Sequence, residues 1–306
     1  MKISLIDIDS KIPNLALYKI ALYHQRNGDE VFWNMPLVPV DKIYVSCVFT
    51  KNYDKAAIWE NKAEIGGSGY DTRKQLPDEI EKIKPRINLG FATRGCIRKC
   101  PFCIVPEKEG NIRIVGDLLD LWNGKAKDIT LLDNNILAMP EHFKLVCKQA
   151  KENHLRIDFN QGLDHRLLTK EMALILQATS HKEYKFAFDH PSYLSTVEKA
   201  IGILQNAGIN RCTWYVLVGF DTAFDEDLER CNYLKSRNQN VFVQRYETCY
   251  EKTRYILLAR WANQHHIFQT YSWKQFLKHP KNKRQAVRAG LLKPVKELEK
   301  EQKALF

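Results

Sequence analysis

The sequence predicts an α/β fold: a parallel sheet wound with right-handed helical crossovers, a smaller α/β unit before it and helices after it. Three observations carry that prediction. From Arg86 to Tyr246, six apolar strand-like runs alternate with five helix-periodic ones across short loops. Residues 1 to about 85 show a strand–helix–strand–strand order on a smaller scale. Beyond residue 250 the strand signal stops and amphipathic helical periodicity takes over.

In the first unit, Lys2–Ile8 reads as a strand, and Pro13 suits the first turn of a helix running to about Asn27. Gly28–Asp29 turns the chain into a short strand, Glu30–Asn34. Lys42–Phe49 is mostly β-branched or aromatic and reads as the clearest strand of the region. His24 falls inside the helix and is expected on its surface. Gly66–Gly69 lacks the lysine-plus-hydroxyl ending of a phosphate loop, so a turn is expected there. Thr72–Pro85 is a polar, Pro-bounded connector, which places a domain boundary near residue 85.

The central strands are Arg86–Ala92, Asp128–Leu132, Arg156–Asn160, Tyr184–Asp189, Arg211–Gly219 and Asn240–Tyr246. Helical periodicity falls on Val115–Trp122, Glu141–Asn153, Lys170–Ala178, Tyr193–Ala207 and Asp225–Arg237. The central domain therefore spans residues 86–250. A helical, basic extension, 251–306, opens with helices at Lys252–Asn263 and Trp273–Lys278. From Lys278 to Lys303 it carries nine Lys and Arg against Glu297, Glu299 and Glu301. A solvated helix is the ordinary reading of such a segment, and a nucleic-acid contact the sharper one.

Composition narrows the class. The 306 residues are 44% hydrophobic and 11% aromatic, enough for a sizeable core. No apolar run reaches about 18 residues, so no membrane partner is expected. The opening MKISLIDIDS puts acids where a signal peptide needs apolar residues. Five of the eight cysteines (Cys47, Cys147, Cys212, Cys231 and Cys249) are scattered without regular spacing, which fits free thiols in a reducing, cytoplasmic setting. The net charge of +11 permits an acidic partner such as nucleic acid.

The other three cysteines set the chemistry. Cys96, Cys100 and Cys103 form a C-x3-C-x2-C run in a loop that leaves a strand end. A structural zinc site needs four ligands, and a second C-x2-C knuckle is missing. A disulfide framework suits a small secreted chain, which this is not. A cubane held by three thiolates leaves one iron open for a ligand, and this third reading fits best.

With Phe102 just before the last cysteine, the run resembles the signature of the radical S-adenosylmethionine (SAM) superfamily. The wider string RGCIRKCPFCIVPEKEG resembles the cluster loop of radical SAM methylthiotransferases and of related enzymes with a cobalamin-type N-terminal domain. The resemblance implies a partial (β/α)6 TIM-like barrel preceded by a small Rossmann-like unit. It also implies a [4Fe-4S] cluster on Cys96, Cys100 and Cys103, reductive cleavage of SAM to a 5′-deoxyadenosyl radical, and an external flavodoxin- or ferredoxin-like reductant.

The N-terminal unit departs from both relatives. It has no cobalt-ligating D-x-H-x-x-G loop and a single cysteine, Cys47, so neither cobalamin nor a second cluster is expected.

Chemistry in such barrels gathers at the C-terminal strand ends. That rule, with the resemblance, selects Asp133 for the SAM ammonium, Asn160, Gln161 and Arg166 for the ribose and carboxylate, and Gly219 and Tyr246 beside adenine. Phe102 is expected near adenine as well. The substrate is expected to be RNA, ahead of a peptide or small metabolite. A non-catalytic iron–sulfur carrier and a zinc-stabilised RNA-binding protein are the readings from other classes.

Overall fold

The computed structural model describes residues 1–35 and 38–293, and the chain divides into two compact units, Met1–Asn160 and Gln161–Phe306. In the first unit, strands β1 (Lys2–Asp7), β2 (Glu30–Trp33), β3 (Lys42–Ser46) and β4 (Glu64–Gly66) form a parallel sheet in the order β2-β1-β3-β4. Helix Leu15–Arg26 joins β1 to β2. Asn14 caps it by accepting from the Leu17 N–H, while its own amide donates to the Ser10 and Ser46 hydroxyls. Ile3, Leu5, Leu17, Ile20 and Tyr44 make the core between helix and sheet.

Strand β3 stops three residues short of expectation for a specific reason. The N–H groups of Val48 and Phe49 turn away to the Asp9 carboxylate, at 2.7 and 3.0 Å. The Gly66–Gly69 segment is a closed turn, with the Gly69 N–H on Cys47 O and those of Tyr70 and Asp71 on Gly67 O.

His24 corrects its surface assignment. It is buried, with Nδ1 2.6 Å from Asp29 Oδ2 and Nε2 3.1 Å from the Tyr44 hydroxyl. It shares the inward helix face of Leu17, Ile20 and Ala21, and Asp29, just past the Gly28 turn, gives it a charged partner there.

The rest of this unit holds β5 (Leu89–Gly90), β6 (Thr93–Arg94), β7 (Arg113–Ile114), β8 (Asp128–Leu131) and β9 (Arg156–Phe159). Strands β5, β8 and β9 run parallel, with β8 in the middle. The expected strand at 86–92 shrinks to two residues because Arg86 and Asn88 adopt left-handed backbone, φ 52° and 60°. Helix Pro140–Glu152 starts with proline in its first turn and buries Phe143, Val146, Cys147 and Ala150. The expected helix at 115–122 is one turn, Leu118–Leu121, opened by an Asp117–Asp120 capping box.

In the second unit, β10 (His181–Glu183) precedes β11 (Lys185–Ala187), β12 (Thr213–Val218) and β13 (Asn240–Arg245), and the last three pair in parallel. Helices Lys170–Ala178, Leu194–Asn206 and Phe224–Ser236 alternate with them. Four further helices follow: Thr253–Ala262, His265–Thr270, Trp273–Lys278 and Pro280–Arg288. Trp214, Phe186, Trp261 and Phe268 are fully buried in this unit. The architecture is thus mixed α/β, with parallel sheets and a C-terminal helical extension. Lys296, Lys300, Lys303 and the three glutamates between them lie outside the described residues. No helix among the described residues is long and apolar enough to cross a membrane.

Candidate functional site

The three-cysteine loop is a closed excursion between two short strands. Its ends are zipped by the antiparallel pairs Thr93–Ile114 and Arg94–Arg113 of β6 and β7. At its mouth Gly95 has φ +82°, and a Cβ there would stand 2.3 Å from Asn111 O. Only glycine closes the loop this tightly, one residue before the first cysteine. The Cys96 N–H then bonds Gly110 O across the neck at 3.1 Å.

Inside the loop, backbone amides point at sulfur. The Arg98 N–H approaches Cys96 Sγ at 3.3 Å and the Val105 N–H approaches Cys103 Sγ at 3.5 Å. From outside the loop, the Asn135 side-chain amide donates to Cys96 Sγ at 3.4 Å. Donors aimed at sulfur suit the negative charge that a metal-bound sulfur carries. Cys96, Cys100, Cys103 and Phe102 are half-buried, whereas the other five cysteines are buried. Burial pushes the Cys212 and Cys231 thiols up to about 12 and raises those of Cys47 and Cys249. The three loop thiols are the partly open ones.

The base of the loop is pinned by Asp133, which is buried at the C-terminal end of β8. Its Oδ1 accepts from the Thr93 N–H at 2.5 Å and the Thr93 hydroxyl at 2.6 Å, and its Oδ2 from the Ala92 N–H at 3.1 Å. Desolvation pushes this carboxyl up to about 6, against the pull of those donors. An ionised carboxylate has about four acceptor positions, so three donors leave room for roughly one more. Its main partners are the loop's own strand, which sequence reasoning did not anticipate.

Arg94 braces the other side. It pairs with Glu109 at 2.7 Å and with Glu81, and lies over the Phe91 ring at 4.5 Å. Arg73 pairs with Glu107 at 2.8 Å, and Lys108 donates to the Ser68 hydroxyl. Residues 68–81 thereby hold the loop from the N-terminal side. Cavities of about 130 and 290 Å³ in this unit both include Arg94, but none of the three cysteines lines either.

Asn160 ends the first unit, its N–H on Leu131 O at 3.0 Å. The remaining expected residues lie in the second unit. Gln161 is exposed. The Arg166 guanidinium pairs with Asp164 at 2.7 Å and lies 4.9 Å over the Tyr193 ring. Gly219 has φ +78°, and the space of its missing Cβ is filled by Cys249 Sγ, 2.5 Å away. Packing against Cys249, rather than a ring plane, is what requires glycine from that side. Tyr246 stacks edge-on with Phe220, centroids 4.9 Å apart.

Beneath that rim lies a buried pair that sequence reading missed. Arg230 bonds Asp227, Phe188 O and Leu217 O, while Asp227 accepts from the Gly219 N–H at 3.0 Å. It ties the ends of β11 and β12 together. Its sequence signal was an i, i+3 acid–base pair on a helix, indistinguishable from a solvated one.

Among the described residues no group of three or more His, Cys, Asp or Glu converges on a single-ion position. A cubane does not demand that, since each thiolate ligates a different iron. Three thiols in one loop, amide donors on two sulfurs and a pinned loop base fit such a cluster.

No family model matches the chain. Curated relatives do. A tRNA-2-methylthio-N(6)-dimethylallyladenosine synthase of Ruegeria sp. (strain TM1040) is 30% identical over 139 residues, 41% of this chain and 30% of the relative. The synthase of Flavobacterium psychrophilum is 26% identical over 232 residues, 53% of this chain and 48% of the relative. That of Bacillus subtilis (strain 168) is 27% identical over 201 residues, 56% and 38%. This is distant, partial homology to radical-SAM methylthiotransferases. The chain spans less than half the length of these relatives.

Proposed function

We propose that this protein is a radical-SAM enzyme whose cluster is held by Cys96, Cys100 and Cys103 and which modifies RNA. The observation that carries the reading is the pinned, half-open loop with amide donors on Cys96 and Cys103. When bound, a [4Fe-4S] cluster with SAM on its open iron supplies a carbon-centred radical able to attack an unreactive C–H bond. The chain's own part is to hold the thiolates, restrict water and aim the substrate.

In this reading Asp133 fixes the loop base through Thr93, Asn135 supports the Cys96 thiolate, and Phe102 flanks the cofactor. Asn160, Gln161, Arg166, Gly219 and Tyr246 form the SAM side. The domains are 1–85, a Rossmann-like unit without cobalamin; 86–250, a partial (β/α)6 barrel; and 251–306, a basic helical extension. The relatives' names supply the RNA assignment, and a flavodoxin- or ferredoxin-like protein is the proposed reductant in a cytoplasmic setting.

The test is anaerobic, dithionite-reduced turnover of SAM. The wild type should release 5′-deoxyadenosine, and Cys96→Ala, Cys100→Ala and Cys103→Ala should each release none. Cys147→Ala and Cys231→Ala should retain it. Production surviving in a triad variant would refute the ligand assignment.

A further inference from the structure

Between Glu251 and Glu297 the sequence contains no Asp or Glu, against ten Lys and Arg up to Lys293. All ten are exposed. A segment this one-signed, with eight of its cations on three helices, attracts polyanions. On helix Pro280–Arg288, Asn282 and Ala286 face inward. The helical repeat of roughly 100° per residue then puts Lys281, Arg284 and Arg288 together on the outward side.

A second element adds to that side. Arg260, near the end of helix Thr253–Ala262, donates to Gln285 Oε1 at 3.1 Å. Gln285 sits four residues after Lys281 and three before Arg288, so it brings a guanidinium from a different helix onto the same face. Lys283 points to the other flank.

We infer that Arg260, Lys281, Arg284 and Arg288 form one stripe that binds the phosphate backbone of RNA. The inference rests on the RNA reading above and adds where the backbone docks. A membrane surface would require apolar residues to insert beside the cations. Among the described residues from 252 to 293, Tyr271 is the one exposed large hydrophobic. An acidic protein partner would leave the interface without an apolar centre. Phosphate contact needs neither, and it positions without reading sequence.

The test titrates a fluorescently labelled RNA stem-loop with the full chain over a range of KCl concentrations, with phosphatidylserine vesicles as a parallel arm. The wild type should bind the stem-loop and not the vesicles. The combined variant Arg260→Gln, Lys281→Gln, Arg284→Gln and Arg288→Gln should make the log–log salt slope shallower by about three to four, one unit per lost contact. Lys283→Gln should change it by less than about one. Replacing the three arginines by lysine keeps the charge and should keep the slope; with an unchanged thermal midpoint, it separates charge from misfolding.

Undiminished salt-dependent RNA binding by the combined variant would overturn the stripe and leave the RNA reading standing. No RNA binding by the wild type at low salt would overturn both. Vesicle binding lost in the combined variant would reassign the stripe to a membrane.

Discussion

Asp133 and Thr93 are joined twice: one carboxylate oxygen accepts both the backbone N–H and the hydroxyl of Thr93, at 2.5 and 2.6 Å. Forty residues apart, they lock the end of β8 onto the strand that launches the cysteine loop. Asp133→Ala would leave three buried donors without an acceptor. Each such loss costs about 1–3 kcal/mol, so with three of them a destabilisation of at least about 3 kcal/mol is expected in urea unfolding. Unchanged stability would mean that the loop base is held elsewhere.

The same carboxyl sets a pH dependence. Its folded value is raised to about 6, above the unfolded value of about 3.9. Its contribution to stability is therefore fully present below about pH 4 and lost as pH rises through about 6. Desolvation likewise raises the Asp189 carboxyl to about 6, so the two act in the same window. Comparing unfolding of the wild type and Asp133→Asn at pH 4.5 and pH 7 isolates the share of Asp133. The wild type should lose more stability across that interval, by on the order of 1–3 kcal/mol.

Gly95→Ala tests the neck. The substitution forces a left-handed φ on alanine and drives its Cβ into Asn111 O. A loss of about 1–3 kcal/mol is expected from the backbone alone, together with poor retention of iron after desalting. Gly124→Ala is the comparison, because its added Cβ meets open space.

Asn135→Leu removes a donor from Cys96 Sγ. A donated hydrogen bond stabilises the more negative, reduced state, so its loss should lower the midpoint potential. A bond worth about 1 kcal/mol corresponds to roughly 30–60 mV for one electron. Redox titration followed by electron paramagnetic resonance reads this directly. A potential unchanged or raised would show that the amide does not act on the sulfur.

The sequence made the α/β alternation legible because core strands such as Thr213–Val218 are runs dominated by β-branched and aromatic residues. The cysteine triad was legible because spacing within a loop is a local property. What holds the loop was not. Thr93–Arg94 and Arg113–Ile114 are too short for any periodicity to register. The Asp133–Thr93 and Asn135–Cys96 contacts depend on which strand ends the topology brings together. His24 looked like a surface histidine because its partners, Asp29 and Tyr44, come from beyond its own helix.

In the proposed enzyme Cys96, Cys100 and Cys103 carry a cubane. The most direct measurement is iron, sulfide and zinc content of anaerobically reconstituted protein, wild type beside the three single alanine variants. About four irons and four sulfides per wild-type chain are expected, with loss of both in every triad variant. One zinc per chain without sulfide, or a full complement of iron in a triad variant, would contradict it.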